Sequence, residues 1–335
     1  MTAIGTTTAA GAPRLPGWVR YEVTAFAVVT ALGLIGYLVF PFDLALLTRI
    51  IAVTFLVLSL DLVTGYAGVV TLGQAAIFGV AAYAVGNACL AGITDPVMLL
   101  GVGIIAGALM GLVSGVLISR FSALPQLVIS IAFGQLVAAL ANKLAQFTGG
   151  SDGLAGFAPS AVLGVFEFDI FGRTSFGFSL VVLAVVLALL LRFVQSPFGL
   201  MCRGIRDDAL RARMIGTAVY PRLIVMYGVS GAVAGVGGAL SAINVGVVSL
   251  HSVSFEMSAE ALVMLVVGGA GHLLGAVFGS ILFQIFGHFV GSTNPFHWMT
   301  IVGGTLILIT LFAPKGLYSA FASAMAKFRK SRVSQ

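Results

Sequence analysis

Charged residues are scarce in this sequence. Only 8% of its 335 residues are Asp, Glu, Lys or Arg, whereas 59% are hydrophobic. A typical soluble domain has about 25% charged residues. The 28 charged side chains here, 17 basic and 11 acidic, are too few to cover the surface of a soluble chain of this length. The composition therefore excludes a water-soluble protein and indicates that lipid surrounds most of the chain.

Residues and motifs that carry metal or nucleotide chemistry are also few. The two cysteines, Cys89 and Cys202, lie far apart, and none of the four histidines has metal-ligand spacing with another. The sequence contains no Gly-x-x-x-x-Gly-Lys-Ser/Thr loop for nucleotide phosphates, no Gly-x-Ser-x-Gly elbow and no His-Glu-x-x-His pair. We therefore expect no metal, no cofactor and no catalytic centre in this chain. Any use of ATP would require a separate partner subunit.

Long hydrophobic runs fill most of the chain. A membrane-crossing helix needs about 20 mostly apolar residues, and runs such as 181–191 are continuously apolar, which favours helices over barrel strands. The sequence predicts an all-α, polytopic membrane domain over residues 21–314, with ten spans as the working number and eight to eleven as the range. The predicted spans are 23–42, 44–63, 71–92, 96–118, 122–146, 176–194, 222–243, 257–270, 273–290 and 298–313.

Basic residues are distributed unevenly between the predicted connections. If the N-terminus is cytoplasmic, 14 of the 17 Lys and Arg residues lie in cytoplasmic segments, and only Arg49, Lys143 and Arg173 lie toward the outside. The positive-inside rule accounts for this asymmetry and for the net charge of +6 without a nucleic-acid partner. We therefore predict two cytoplasmic termini: a tail over residues 1–20, which lacks the apolar core of a signal peptide, and a basic tail over 315–335.

Two connections are long enough to do more than join helices. Residues 147–175 are rich in glycine and polar side chains and are predicted to be extracytoplasmic. Residues 195–221 are predicted to be cytoplasmic, with one or two short amphipathic helices over 204–215. Positive-inside topology alone explains the arginines of this second connection but not its acidic pair, its apolar positions or its Gly216, where a helix C-cap would fall. We interpret the second connection as a docking surface for an ATPase.

Glycine-rich segments interrupt two of the predicted helices. The segment 61–79 has the sequence DLVTGYAGVVTLGQAAIFG, and 268–279, GGAGHLLGAVFG, resembles part of it. Paired interruptions of this kind indicate broken helices around a transport pathway, because unwound backbone in a membrane must be buried or line a cavity. The alternative is that the glycines serve close helix packing. The candidates for the translocation path are Asp61, Gly65, Tyr66, Gly68, Thr71, Gly73, Gln74, Gly268, Gly269 and Gly271.

The candidates for ionisable residues inside predicted spans are Arg49, Asp61, Lys143 and Glu260. Each would cost about 2.5–3.5 kcal/mol at the centre of a span, but all four lie near an interface, where a side chain can reach water. A transporter coupled to protons or sodium should carry an acid nearer the middle. The pattern favours a pathway powered by another subunit, with a stand-alone secondary transporter as the alternative. Asp61 and Glu260 then serve either helix packing or the pathway itself.

Four segments together resemble a known family. In order and spacing, 65–79, TGGSDGL (148–154), FGLMCRGIRDDALRARMIG (198–216) and SFEMSAEALVMLVVGGAGHLLGAVFG (254–279) resemble the permease subunits of bacterial branched-chain amino acid ABC importers, nearest to the LivM type. The resemblance implies packed transmembrane helices in the bacterial inner membrane. It also implies a second permease subunit, two cytoplasmic ATP-binding subunits and an extracytoplasmic substrate-binding protein.

The same resemblance assigns roles within the chain. It implies that residues 195–221 engage the ATP-binding subunits, and the candidates for this coupling are Ile205, Arg206, Asp207, Asp208, Ala209, Met214 and Gly216. Members of the family also transport urea, short amides and aromatic acids. The expected substrates are therefore branched-chain or related amino acids, or a similar small polar solute. The chain departs from the usual pattern at two positions. Asp61 stands where an Asn usually precedes the Gly-Tyr-Ala-Gly element, and His272 stands where a Ser or Thr often follows Gly-x-Gly in the later glycine motif.

Overall fold

The architecture is almost entirely helical. The structure, a computed structural model, describes residues 43–121, 124–161 and 172–293 and the single positions 33, 36, 37, 300, 303 and 304. Its longer helices are α1 (Leu44–Leu60), α2 (Gln74–Leu90), α3 (Pro96–Ile118), α4 (Leu124–Lys143), α6 (Arg173–Gln195), α7 (Pro197–Asp207), α9 (Val219–Val245), α10 (Phe255–Gly268) and α11 (Leu273–Thr293). Short elements lie between them: a π-helical turn (Asp61–Tyr66), α5 (Ala145–Thr148), α8 (Ala209–Met214), two 3₁₀ turns (Gly150–Asp152 and Leu250–Val253) and the strands β1 (Leu154–Ala155) and β2 (Val247–Val248).

Six of the described helices are long and apolar enough to cross a membrane. They are Leu44–Tyr66, Pro96–Ile118, Leu124–Lys143, Arg173–Gln195, Val219–Val245 and Leu273–Gly291. The shorter helix α2 is also apolar. The prediction of a helical, polytopic membrane protein is therefore confirmed. The predicted spans 23–42 and 298–313 lie outside the continuously described residues, so the number ten stays a prediction.

The all-helical prediction misses one small feature, a ribbon of two strands. Leu154 of β1 pairs with Val248 of β2, and Ala155 pairs with Val247, in antiparallel register. The ribbon ties the long connection after α4 to the segment after α9. Two-residue strands are too short to produce a periodic hydrophobic pattern, which is why the sequence gives no sign of them.

The bundle is organised around α1 and α9. Most side chains of these two helices are buried, whereas α3 and α4 present many large apolar side chains on the outer surface, among them Ile105 and Leu136. Hydrogen bonds between buried side chains connect the central helices. Gln74 of α2 donates to the Ser230 hydroxyl of α9 at 2.5 Å, and Thr54 of α1 shares a 2.7 Å hydrogen bond with Ser280 of α11. We interpret the outer faces of α3 and α4 as surfaces for lipid or for another membrane subunit.

Helices α3 and α9 meet through their backbones. Gly103, Gly107 and Gly111 of α3 face Gly231 and Gly235 of α9, and a methyl group added at position 107 would lie 2.7 Å from the Gly235 Cα atom. Residues four apart share one helix face, so these glycines form a continuous strip without side chains. The four-residue spacing is visible in the sequence but was not among the predicted features. The strip sets the short distance between the two helices.

The bundle has two ends. At each end, the connections that touch are ones predicted to lie on the same side of the membrane. At one end, which we call the basic end, Arg120 donates to the Tyr220 hydroxyl at 3.2 Å. At the other, which we call the opposite end, the Ser160 amide donates to the Thr94 carbonyl at 2.9 Å, near the β1 and β2 ribbon. In each of these contacts both partners come from connections predicted to lie on the same side of the membrane.

Candidate functional site

The first helix break follows α1. The π-helical turn Asp61–Tyr66 ends α1, residues 67–73 are not helical, and α2 starts at Gln74. Gly68 has a φ angle of +76°, a conformation that favours glycine, and the Thr64 hydroxyl donates to the Val69 carbonyl at 3.1 Å. The predicted interruption is therefore present, but it is shorter than the glycine-rich segment, because 74–79 already belong to α2.

The second break lies between α10 and α11. Gly269 and Gly271 have φ angles of +103° and +85°, so the chain turns there in conformations that few other residues adopt. Gly268, the last residue of α10, plays a different role, because a methyl group on it would lie 2.7 Å from the Gly275 carbonyl carbon of α11. The two interpretations of these glycines thus apply to different positions. Gly269 and Gly271 form the turn, and Gly268 allows close packing.

Asp61 joins the two breaks. Its Oδ1 atom accepts a 2.6 Å hydrogen bond from the Gly271 amide, 210 residues further along the chain. The side chain is fully buried, and among the described residues its Oδ2 atom has no hydrogen-bond partner. A methyl group at Gly65 would lie 2.9 Å from the Gly271 Cα atom and would overlap the Asp61 carboxylate. Only glycine at position 65 therefore allows the two breaks to approach this closely.

Arg206 brings the basic-end helix α7 to the same place. Its Nη1 atom donates to the Gly65 carbonyl oxygen at 2.6 Å. Its Cα atom would lie 3.1 Å from a methyl group at Gly68. One turn earlier in α7, the Arg203 guanidinium carbon lies 4.9 Å from the centre of the Tyr66 ring, within cation–π distance. We call the group formed by Asp61, Gly65, Arg206 and Gly271 the junction.

The junction combines residues from both predicted sets. Asp61, Gly65 and Gly271 were predicted from the glycine pattern as path residues, and Arg206 was predicted as a coupling residue. No sequence pattern indicated contact between the two sets, because a hydrogen bond across 141 residues leaves no local signal. Arg203 was counted among the arginines of the connection but was not singled out.

The remaining path candidates lie in packed contacts between helices. Thr71 and Gln74 are buried, and the Ala75 amide donates to the Ser258 hydroxyl of α10 at 3.1 Å. A methyl group at Gly73 would lie 2.8 Å from the Ser130 carbonyl oxygen of α4. These residues are thus at the centre of the bundle, where α2, α4 and α10 meet. In this structure they are covered by neighbouring helices.

The basic connection forms two short helices, as predicted, but the first begins at Pro197, before the predicted stretch 204–215. Ser196 caps α7 by accepting from the Gly199 amide at 3.3 Å, and Asp208 caps α8 by accepting from the Arg211 amide at 2.9 Å. Gly216, with a φ angle of +86°, lies two residues after the end of α8, and its amide donates to the Arg213 carbonyl. The predicted glycine cap is therefore present. The two N-caps show why the connection divides into two helices at Asp208.

The predicted apolar face of this connection is wrong at one position. Ile205 is only 4% exposed and packs into the transmembrane core, whereas Met214 is 79% exposed. The break at Asp208 turns α8 relative to α7, so the two side chains do not share a face. The exposed apolar side chains of α8 and the residue after it are Leu210, Met214 and Ile215. Leu210 and Met214 are four residues apart, a spacing that could have identified Leu210 beside the predicted Met214. Asp207 and Ala209 are also exposed.

Comparisons with known proteins agree with this architecture. The family described as the branched-chain amino acid transport system, permease component, matches residues 43–311. The high-affinity branched-chain amino acid transport system permease protein LivM of Escherichia coli is 26% identical over 298 residues, which cover 82% of this chain and 69% of that protein. Its counterpart in Salmonella typhimurium is 24% identical with the same coverage.

A sugar permease shows a more limited likeness. The fructose import permease protein FrcC of Rhizobium meliloti is 28% identical over 222 residues, which cover 62% of this chain and 60% of that protein. No solved structure gives a significant match. The family match, by contrast, spans the described bundle, both breaks and the basic connection. The chain therefore belongs to the permease components of branched-chain amino acid transport systems.

Proposed function

We propose that the protein is the LivM-type permease subunit of an ATP-binding cassette importer in the bacterial inner membrane. It moves branched-chain amino acids, or related small polar solutes, toward the cytoplasm. The observation that carries this proposal is the junction. A helix on the charged surface of the protein is hydrogen-bonded directly to the backbone of an interrupted membrane helix.

The junction suggests how ATP hydrolysis in a partner reaches the pathway. A displacement of α7 pulls on the Gly65 carbonyl through Arg206, and the Asp61 carboxylate passes the movement to the Gly271 turn. The two breaks belong to α1 and α10, so both interrupted helices respond together. Movement of one bundle against another around interrupted helices is the usual way in which transporters expose a site alternately to the two sides.

The exposed surfaces of the protein and the motifs missing from its sequence indicate which partners to expect. The sequence has no nucleotide-binding loop, so we assign ATP hydrolysis to two separate cytoplasmic subunits. The exposed faces of α3 and α4 are available for a second permease subunit and for lipid. Capture of the substrate outside the membrane belongs to an extracytoplasmic binding protein. The family match supports the importer over the alternative of a proton- or sodium-coupled transporter.

Reconstitution separates the importer from that alternative. The permease is co-expressed with the subunits encoded beside it, purified, and placed in liposomes with the binding protein outside. We expect leucine uptake that requires ATP and both types of partner subunit, and no uptake by this chain alone under a proton or sodium gradient. Gradient-driven uptake by the chain alone would overturn the proposal.

The orientation of the two ends can be tested by labelling. Charge asymmetry places the basic end and both termini in the cytoplasm. In a background lacking Cys89 and Cys202, Ser151→Cys should react with a membrane-impermeant maleimide from outside. Met214→Cys and Ser323→Cys should react only after the membrane is opened. Reaction of all three from the same side would contradict the proposed topology.

The surface of α8 should hold an ATP-binding subunit. Truncating or charging a buried interface anchor commonly costs more than about 1 kcal/mol, whereas exposed charges at an interface rim mainly tune association. The double variant Leu210→Asp, Met214→Asp should therefore lose the ATP-binding subunits during purification, with the permease still folded. Arg211→Gln on the same helix is the matched control and should retain them. Equal retention of the subunits by the double variant would exclude α8 as the docking surface.

A further inference from the structure

A cavity of about 360 Å³ opens at the opposite end of the bundle, away from the junction. It lies between α1, α10, α11 and the 3₁₀ turn that precedes α10. Its walls include Leu46, Arg49, His251, Glu260, Phe283 and Gln284. This volume falls within the range of about 300–1,000 Å³ that is typical of small-molecule sites. None of these residues belongs to the junction.

The cavity holds two opposite charges that are not in direct contact. Arg49 comes from α1 and Glu260 from α10, and Glu260 interacts electrostatically with Arg49 and His251. Among the described residues, no hydrogen bond or ion pair joins Arg49 to Glu260. Charged residues within a membrane helix bundle usually pair directly or face a functional cavity. The cavity therefore offers one cationic and one anionic group to an incoming molecule.

The remaining walls complete a site with distinct polar and apolar parts. The planar Arg49 guanidinium can donate two parallel hydrogen bonds to a carboxylate, and Glu260 can accept from an ammonium group. The Gln284 amide can both donate and accept. Leu46 and Phe283 provide apolar surface for an aliphatic side chain. These groups match the three parts of a free α-amino acid: its carboxylate, its ammonium group and its side chain.

We infer that this cavity binds the substrate amino acid as a zwitterion, with its carboxylate on Arg49 and its ammonium group on Glu260. The inference rests on the proposed function, because that function supplies an amino acid at the opposite end, which the charge asymmetry places outside. It adds a binding site in the permease itself, in addition to the one in the binding protein. A ligand that lacks either charge leaves one wall group unpaired. Such a loss is worth about 1.5–3 kcal/mol for a charged hydrogen bond, or roughly tenfold or more in affinity.

Substrate protection of a single cysteine tests the site. Gln284→Cys, or Gly287→Cys at another residue that lines the cavity, is made in a background lacking Cys89 and Cys202. The variants are studied in membrane vesicles that contain the whole importer. The rate of reaction with a charged methanethiosulfonate reagent is measured against leucine concentration. Leucine should slow the reaction in a saturable manner. Leucinamide, which lacks the carboxylate, and 4-methylpentanoate, which lacks the ammonium group, should need roughly tenfold or higher concentrations.

Two charge-removing variants and two controls complete the experiment. When Arg49→Gln or Glu260→Gln is added to a cavity cysteine variant, leucine should no longer protect the cysteine from the reagent. Glu256→Gln, which removes the neighbouring acid of α10, should retain it, and the reaction of Ser151→Cys should not respond to leucine. Failure of leucine to protect both cavity cysteines would overturn the inference, and so would equal protection by all three compounds. Leucine uptake by the parent importer is measured separately. If the parent importer takes up leucine but leucine does not protect the cavity cysteines, only the binding site is refuted. If the parent importer shows no ATP-driven uptake, the proposed function is refuted.

Discussion

Gly107→Leu is expected to remove the folded permease from the membrane. The Gly107 Cα atom lies in a strip where α3 and α9 touch through their backbones, and a side chain there would meet the Gly235 backbone. Overpacking a core costs about 1–3 kcal/mol when neighbouring side chains can shift, and more when they cannot. Here the neighbouring atoms are backbone, so the helices would have to separate along their length.

The measurement is the yield of monodisperse permease after mild solubilisation, together with its thermal unfolding temperature. Gly101→Leu is the matched control, because it lies on the same helix and has open space around it. We expect the control to resemble the parent, whereas Gly107→Leu gives aggregated or degraded protein. Parent-like yield and stability for Gly107→Leu would show that the α3 and α9 contact can adapt.

Arg206→Ala is expected to reduce ATP-driven uptake by about tenfold or more, with the complex still assembled. The variant removes the 2.6 Å hydrogen bond to the Gly65 carbonyl, which connects α7 to the first break. A hydrogen bond from a charged donor contributes about 1.5–3 kcal/mol. ATP hydrolysis should continue without a matching amount of transport, because α7 can then move without displacing the break.

A neighbouring arginine and a conservative change at Asp61 act as controls for this loss. The Arg211 side chain is 83% exposed and lies 3.5 Å from Asp208, so Arg211→Ala should leave uptake near the parent value. Asp61→Asn keeps an acceptor for the Gly271 amide and should retain more uptake than Asp61→Ala, which leaves that amide unpaired. Equal ratios of leucine moved to ATP consumed in Arg206→Ala and the parent would remove the junction from the coupling path.

Sequence patterns predicted the elements of this protein better than their contacts. The span 96–118 coincides with α3, because hydrophobic length and the Asp95 cap both mark its start, and the Asp95 carboxylate accepts from the Val97 amide at 3.0 Å. Both helix breaks were also predicted, since glycine clusters in apolar runs carry a local signal. Contacts between distant segments leave no local signal in the sequence. The hydrogen bond between Asp61 and Gly271 could therefore be identified only from the structure.

The error at Ile205 has a similar origin. A hydrophobic residue in a charged cytoplasmic connection can face either a partner or its own protein, and its local sequence is the same in both cases. Whether Ile205 faces a partner or its own protein depends on how α7 packs against the first break. That packing involves Arg206 and Gly68, which lie far apart in the sequence. The strip of glycines on α3, in contrast, had a readable four-residue spacing.

The glycine strip also limits how this permease can change shape. Interlocked backbones without intervening side chains cannot slide or tilt against each other by repacking rotamers, so α3 and α9 must travel as one rigid body. Among the described residues, we expect rearrangement during transport at boundaries that contain adjustable parts, such as the turn at Gly269 and Gly271 and the segment 67–73. We therefore expect the pair of α3 and α9 to behave as one rigid unit. We expect the opening and closing of the pathway to involve movement of α10 and α11 relative to this unit.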